Sequence, residues 1–483
     1  MKLEKAIGGL KVALVMVLRV YNGMMRKHLF ILALVMGVLI MVTMLLSGCI
    51  PMSCRESKEH HAELQGPVAE QWVNIYDHKD KNIATQLAVD SSGNVYVSGT
   101  STATKYNSEG KKLWTIQNGP YITVDEKGNL YTAGCSEADY VTIKYNSNGK
   151  LMWSARYNGP AGFEDCPSAI AVDGSGNVYV AGSTCEEKHS APLCYHKHYS
   201  TVKYDSAGNQ LWVARYEHPG EVYGSPEAVA VDGLGNVYVI GFFVGMTTYS
   251  DYTTIKYDVN GTQLWVARYN GPGSGHDYVK AMALDESGNV YVTGYSPGNG
   301  TGKDYATVKY SSEGTQLWVA RYNGSANSDD EPCDMVVDTS GNIYVTGSSH
   351  GNHTQFQGGI DYATVKYDSG GNELWVVRYS NPEEFWDQAR AMAVDSSGNV
   401  YVTGLSQGNI TKIDIATVKY DSDGNQVWVA RYSGELNYGD ESYAIALDAQ
   451  GDVYVAGSTT TKFCGAFLDQ RYYQDYVVIK YSQ

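Results

Sequence analysis

One phrase, Ala-Val-Asp-Ser-Ser-Gly-Asn-Val-Tyr-Val, returns along the chain with small changes, and no other feature constrains the fold as strongly. Its Asp falls at Asp90, Asp125, Asp173, Asp232, Asp285, Asp338, Asp395 and Asp448. A Lys-Tyr pair ends at Tyr106, Tyr145, Tyr204, Tyr257, Tyr310, Tyr367, Tyr420 and Tyr481. A Trp, usually within Leu-Trp-Val-Ala-Arg-Tyr, recurs at Trp72, Trp114, Trp153, Trp212, Trp265, Trp318, Trp375 and Trp428. Spread over 72–483, these copies average about 52 residues, which is room for four short strands per unit.

The unit 280–322 shows how. Strand A is 281–284, strand B 290–293, strand C 305–310 and strand D 317–322, joined by Gly-containing turns at 286–289 and 311–314. Gly and Asn supply the positive φ that such turns need. Apolar and aromatic residues occupy both alternating sets of strand positions, which suits a sheet packed between two neighbouring sheets. The expectation is an all-β chain folded as a closed β-propeller of eight four-stranded antiparallel blades. The first unit is trimmed, with 35 residues from Asp90 to Asp125, and this leaves seven blades as the alternative. The last unit stops after strand C, 476–481, whereas 71–76 is a lone Trp strand. The N-terminal strand is therefore expected to complete the last blade and remove two open edges.

Three regions follow: a leader over 1–48, a polar tether over 49–70, and the propeller over 71–483. Leu29 to Leu46 is an 18-residue apolar run behind Arg26-Lys27-His28, the pattern of a secretory signal. Leu46-Ser47-Gly48-Cys49 resembles a bacterial lipobox, which implies cleavage before Cys49 and lipid attachment to its thiol. Ile50 follows, not the aspartate that retains lipoproteins at an inner membrane, so the outer membrane or cell surface is the expected location. Residues 1–23 stand upstream of a normal signal and are left out of the fold. The chain carries 36 Lys+Arg against 52 Asp+Glu, and removing 1–48 leaves a net charge of −21. That argues against nucleic acid, which is bound through Lys and Arg.

Phrases such as 393–404 and 361–367 (Asp-Tyr-Ala-Thr-Val-Lys-Tyr) resemble the bacterial SBBP β-propeller repeat family across 71–483. The Gly261 to Trp265 phrase is similar to repeats of quinoprotein dehydrogenases and of an outer-membrane assembly lipoprotein, and the Asp-x-x-Gly-Asn-x-Tyr phrase to NHL repeats. These resemblances imply a fold and leave function open.

Function must come from what does not repeat. The D–A connections and B–C loops vary in length and emerge on one face, while the A–B and C–D turns hardly vary; insertions on one face mark a binding face. The B–C loops are read as 184–198, 242–251, 295–303, 348–360, 405–413 and 458–474. They and one D–A connection carry Phe242, Phe243, Tyr249, Phe356, Phe385, Trp386, Tyr472 and Tyr473, aromatics able to anchor a protein or stack on sugars. The strand-D Arg row and strand-C Lys row occur once per blade and are read as structural. The Asp residues before strand A and at the start of strand C either cap loops or form an acidic ring. In an oxidising compartment a Cys185–Cys194 disulfide is the favoured reading over a metal site built with His189, His196 and His198, whose spacing matches no standard zinc pattern, and Cys135 and Cys166 are candidates for a second bridge. No metal or cofactor is expected.

The sequence has no His-Glu-x-x-His, Walker loop or Cys-x-x-Cys. The reading is a monomeric, non-catalytic binding or scaffolding module for protein or surface glycan, anchored to the membrane through its lipid. The competing reading is an extracytoplasmic lyase or hydrolase using a site at the central channel. A cluster of non-repeated His, Arg and carboxylates in one pocket favours the enzyme; a flat aromatic loop face favours binding.

Overall fold

The computed structural model describes residues 54–56, 60–76, 83–117, 119–162, 164–185, 197–217, 221–245, 249–351, 359–381, 385–408, 413–434, 436, 438–466 and 469–483. The leader, Cys49, Cys194 and Phe356 lie outside them. The described residues divide into two compact units, one of 56–463 with 472–483 and one of 1–55 with 464–471. Of the second, only Cys54, Arg55 and parts of two hairpin strands are described.

The larger unit is a propeller with eight blades among the described residues. Blade I spans 84–117, II 121–157, III 166–216, IV 221–269, V 278–322, VI 330–379 and VII 387–434. Blade VIII takes three strands from 441–482 and its fourth, Ala69–Tyr76, from the N-terminal side. That strand pairs antiparallel with the blade's third, Tyr76 opposite Tyr476 and Trp72 opposite Lys480. The innermost strand of each blade touches the next, from blade I through VIII and back to I. Ala84, Val95 and Tyr106 of blade I share a core with Tyr454, Tyr476 and Val478 of blade VIII.

Each A–B turn is built by its Asp. Asp395 accepts hydrogen bonds from the Ser397 and Asn399 amides (both 2.9 Å), the Asn399 side chain (2.7 Å) and the Tyr401 hydroxyl (3.0 Å). Burial opposes its ionisation, but these donors hold its carboxyl below the usual range. Blades are stitched through the C–D turns. Trp318 Nε1 and Lys309 Nζ both donate to the Ser369 carbonyl of the next blade, at 3.2 Å each. Gly371 in that turn has φ +84°, and a Cβ there would lie 2.7 Å from the Trp318 ring. Blade VIII has no C–D turn, because its outer strand comes from elsewhere. Gln483 fills that place: its side chain accepts from Lys419 Nζ and donates to the Gly451 carbonyl at 2.7 Å.

Two boundaries differ from expectation. Residues 60–70 are not a tether. His60–Gln65 is a fifth strand on blade VII, Leu64 opposite Ala430, and the chain then turns at Gly66 (φ +97°) into the outer strand of blade VIII. Its polar sequence hides it, since an edge strand exposed on its outer side needs no apolar alternation. Under it, Trp428 is 1% exposed, whereas its counterparts Trp265, Trp318 and Trp375 on uncovered outer strands are half-buried. The second difference is length. Strand B of blade V runs to Pro297 and strand B of blade IV, Val237–Gly245, takes in Phe242 and Phe243, so much of what reads as B–C loop is extended hairpin.

Candidate functional site: the channel mouth

Strand A lines the central channel, and its first residues lie next to the variable face. In seven blades this strand carries a bulge at the same step, for example between Val279 and Ala281, Pro332 and Asp334, and Ala389 and Ala391. A bulge leaves one residue outside the ladder and re-aims its side chain. The bulged residues are Thr85, Ser168, Glu227, Lys280, Cys333, Arg390 and Tyr443. The backbone repeats while the side chain changes in every blade. Blades I and III place small hydroxyls here, and Ser168 donates to the Pro226 carbonyl at 2.6 Å. Blades IV, V, VII and VIII place large or charged groups here, and blade VI a cysteine.

Lys280, Cys333 and Arg390, from blades V, VI and VII, line one cavity of about 300 Å3, together with Asp329, Glu331, Ser348, His350 and Gln388. Lys303 bridges both acids, with Nζ 2.5 Å from Glu331 and 3.6 Å from Asp329, and offsets one of their two charges. Burial works against its charge, yet the two carboxylates hold Lys303 above its ordinary value. Arg390 lies 4.0 Å from Glu441, whose carboxylate also accepts the Tyr443 hydroxyl at 2.9 Å. Cys333 carries a free thiol, which burial pushes up, so it is a neutral packing group rather than a nucleophile. Beside it, Asp334 accepts from the Met335 and Met392 amides at 2.8 and 2.9 Å and ties blade VI to VII; burial raises it to about 6.

An aromatic arc adjoins this recess. Phe242 meets Tyr278 edge-on at 4.7 Å, Tyr278 stacks on His276 at 5.6 Å, and Tyr249 meets His276 edge-on at 5.2 Å. Tyr295 lies 5.4 Å from Tyr278, and Lys303 and Lys280 stand over its ring at 4.7 and 5.7 Å. The Ser250 amide donates to His276 Nδ1 at 3.1 Å, which fixes the ring. Tyr249 and Tyr223 are 55% and 40% exposed.

Of the aromatics read from sequence, only Phe242 and Tyr249 belong to this arc. Phe243 is a correction: it is 1% exposed and stacks on Tyr199 at 4.4 Å, in the core between blades III and IV. Strand B continues through it, and alternation turns successive side chains to opposite faces. Phe385 is half-buried and Trp386 is 59% exposed, both on the connection between blades VI and VII. Tyr472 and Tyr473 lie in the strand Asp469–Ser482, not in a loop; Lys462 stands over the Tyr473 ring at 5.8 Å, and the Tyr472 side chain lies outside the described residues. Cys135 and Cys166 form a disulfide between blades II and III. Cys185 is disulfide-bonded, and its predicted partner Cys194 lies outside the described residues.

The repeated charges are structural. Arg321, Arg378 and Arg431 pair with Asp304, Asp361 and Asp414 at 2.8–2.9 Å and reach the Tyr hydroxyl of the preceding blade. Asp277, Asp330, Asp387 and Asp440 are buried and accept the loop amides of Gly271, Gly324, Asn381 and Gly434 at 2.6–2.9 Å. They cap loops and do not form an open acidic ring. Among the described residues no group of three His, Cys, Asp or Glu is placed to hold a metal ion.

A closed set of four-stranded blades with stitched turns makes this a β-propeller repeat protein. The SBBP β-propeller repeat model matches residues 164–185, 264–300, 317–353 and 387–411. An uncharacterized WD repeat-containing protein of Acanthamoeba polyphaga mimivirus is 23% identical over 80% of this chain and 36% of its own length. The regulatory protein FlaEY of Caulobacter vibrioides is 28% identical over 39% of this chain and 21% of its own. The chain thus spans about a third and a fifth of these relatives. Among solved structures, the Neurospora crassa Pan2 WD40 domain aligns with a TM-score of 0.44 at 9% identity, covering 76% of this chain and 95% of that one. The polysaccharide lyase Uly1 aligns with a TM-score of 0.44 at 10% identity, covering 75% and 89%.

Proposed function

We propose that this chain is an extracytoplasmic, lipid-anchored binding module that takes a surface glycan at the channel mouth of blades IV to VII. The observation that carries it is the continuity of the aromatic arc, Phe242 to Tyr295, with a recess offering both donors and acceptors. Sugar rings present apolar faces that stack on aromatics and hydroxyls that need both kinds of partner. A cavity of about 300 Å3 is at the small end of ligand sites and suits one ring. A rigid repeat core fits a display scaffold better than a moving enzyme. The lipobox-like Cys49 and the Cys135–Cys166 bridge support the extracytoplasmic assignment.

The test is binding of envelope polysaccharides by affinity electrophoresis, wild type against Tyr249→Ala with Phe242→Ala. Loss of retardation in the double variant is expected; unchanged retardation would remove the arc from the site. Phe243 is not a useful target, because its loss would disturb the core. One observation favours a second reading: His350, Lys280, Arg390 and two carboxylates meet in one recess, the kind of set a lyase or hydrolase uses. Release of new reducing ends from a bound glycan would establish that reading.

A further inference from the structure

Resting on the glycan reading, we propose that the bound saccharide carries an anionic group, and that this group sits between Lys280 and Arg390. The two cations occupy the same bulge position in blades V and VII. Blade VI between them places Cys333 there, a small neutral side chain, so the ring of bulges has a gap flanked by two positive charges. Of the nearby acids, Asp329 and Glu331 share Lys303, which offsets one of their two charges, Glu441 is 4.0 Å from Arg390 and shared with Tyr443, and Glu227 of blade IV interacts with Lys280. Lys280, with Tyr295 as its aromatic neighbour at 5.7 Å, lines the cavity beside Arg390.

The rest of the lining favours a sugar over a bare anion. Ser348 and Gln388 give hydroxyl and amide groups and Asp329 and Glu331 give acceptors, while Tyr295 and Tyr278 adjoin the cavity through Lys280. An inorganic anion would gain nothing from the aromatic wall. The two long-range charge balances also differ in a useful way. The whole chain has a net charge of −16, which repels a polyanion at a distance, so attraction must come from the local cation pair at contact. Binding is therefore expected to fall with salt only modestly, as for one or two ion pairs.

The experiment measures binding of full-length protein by calorimetry to three probes: tri-galacturonate, its methyl ester, and a sulfated neutral galactan oligosaccharide. Tri-galacturonate or the sulfated probe is expected to bind at least about tenfold tighter than the neutral ester. Lys280→Ala and Arg390→Ala should each remove that advantage, weakening the charged probe at least about tenfold more than the ester. Whichever charged probe loses affinity in both variants identifies the group as carboxylate or sulfate. Lys280→Arg should retain most of the preference, and unfolding midpoints of all variants should match wild type. Equal affinity for charged and neutral probes, or a preference that survives both Ala variants, overturns the anionic seat while leaving a glycan site intact. If none of the probes binds and the envelope polysaccharides also fail, the glycan reading falls with it.

Discussion

Two rows of positions in the same eight repeats behave in opposite ways. In the A–B turns, every blade spends the same Asp on the same task, catching two amides and the Tyr hydroxyl six residues on, as at Asp285 and Asp395. At the strand-A bulge the backbone does the same thing in blade after blade, but the side chain runs Thr85, Ser168, Glu227, Lys280, Cys333, Arg390, Tyr443. A position whose geometry demands a residue repeats it. A position whose geometry demands nothing is free to carry chemistry. The contrast separates the scaffold from the site without reference to any other protein.

The contrast can be broken by exchanging the effects of the two rows. The largest loss of stability is expected at the stitched turns. Gly371→Val forces a branched side chain to φ +84° and drives its Cβ into Trp318, at a cost of about 2–5 kcal/mol. Urea unfolding should show this, with ligand affinity of the surviving folded protein unchanged.

Next comes a dependence on pH. Burial raises Asp387 to about 6 and Asp440 to about 7, so folded protein keeps protons that the unfolded chain has lost. Their contribution is full below about pH 4 and is lost as pH rises through about 6–7. The turn aspartates, held low, contribute above about pH 4 and lose that contribution on acidification. Stability should therefore peak in mildly acidic solution. Asp440→Asn should flatten the decline between about pH 5 and 8 by about 1–3 kcal/mol. A decline as steep as wild type would show that Asp440 is ionised in the fold.

Asp395→Ala removes the turn's acceptor and is expected to cost about 1–2 kcal/mol by thermal unfolding, again without altering binding. The smallest change in stability belongs to the channel row. Lys280→Ala and Arg390→Ala should lie within about 0.5 kcal/mol of wild type, since both side chains are exposed to the channel. A bulge variant that unfolds the protein, or a turn variant that abolishes binding, would erase the distinction between the rows.

Most of the fold was legible because the scaffold row is written eight times. Asp-x-x-Gly-Asn-x-Tyr marks the turn, Lys-Tyr the third strand, Trp the fourth, and the misplaced Trp72 phrase the strand that completes blade VIII. The strand His60–Gln65 was not legible, since its residues His-His-Ala-Glu-Leu-Gln show no alternation and its partner is set only by the folded edge of blade VII. Phe243 was misplaced because the length of a hairpin beyond its repeat phrase depends on neighbouring blades. Tyr199 and Tyr216, which receive it, come from blade III. The channel row escaped for a different reason. Lys280 or Arg390 alone reads as an ordinary charged residue before a strand. Only stacking the repeats in register exposes a column that refuses to repeat, and only the bulge shows that this column faces the channel.

The most direct test of the central claim is a crystal structure with an acidic oligosaccharide bound. The account predicts one sugar ring against Tyr295 and its anionic group between Lys280 and Arg390 above Cys333. A saccharide bound on the outer strands of the blades, or on the face of the A–B turns, with the channel mouth empty, would contradict it.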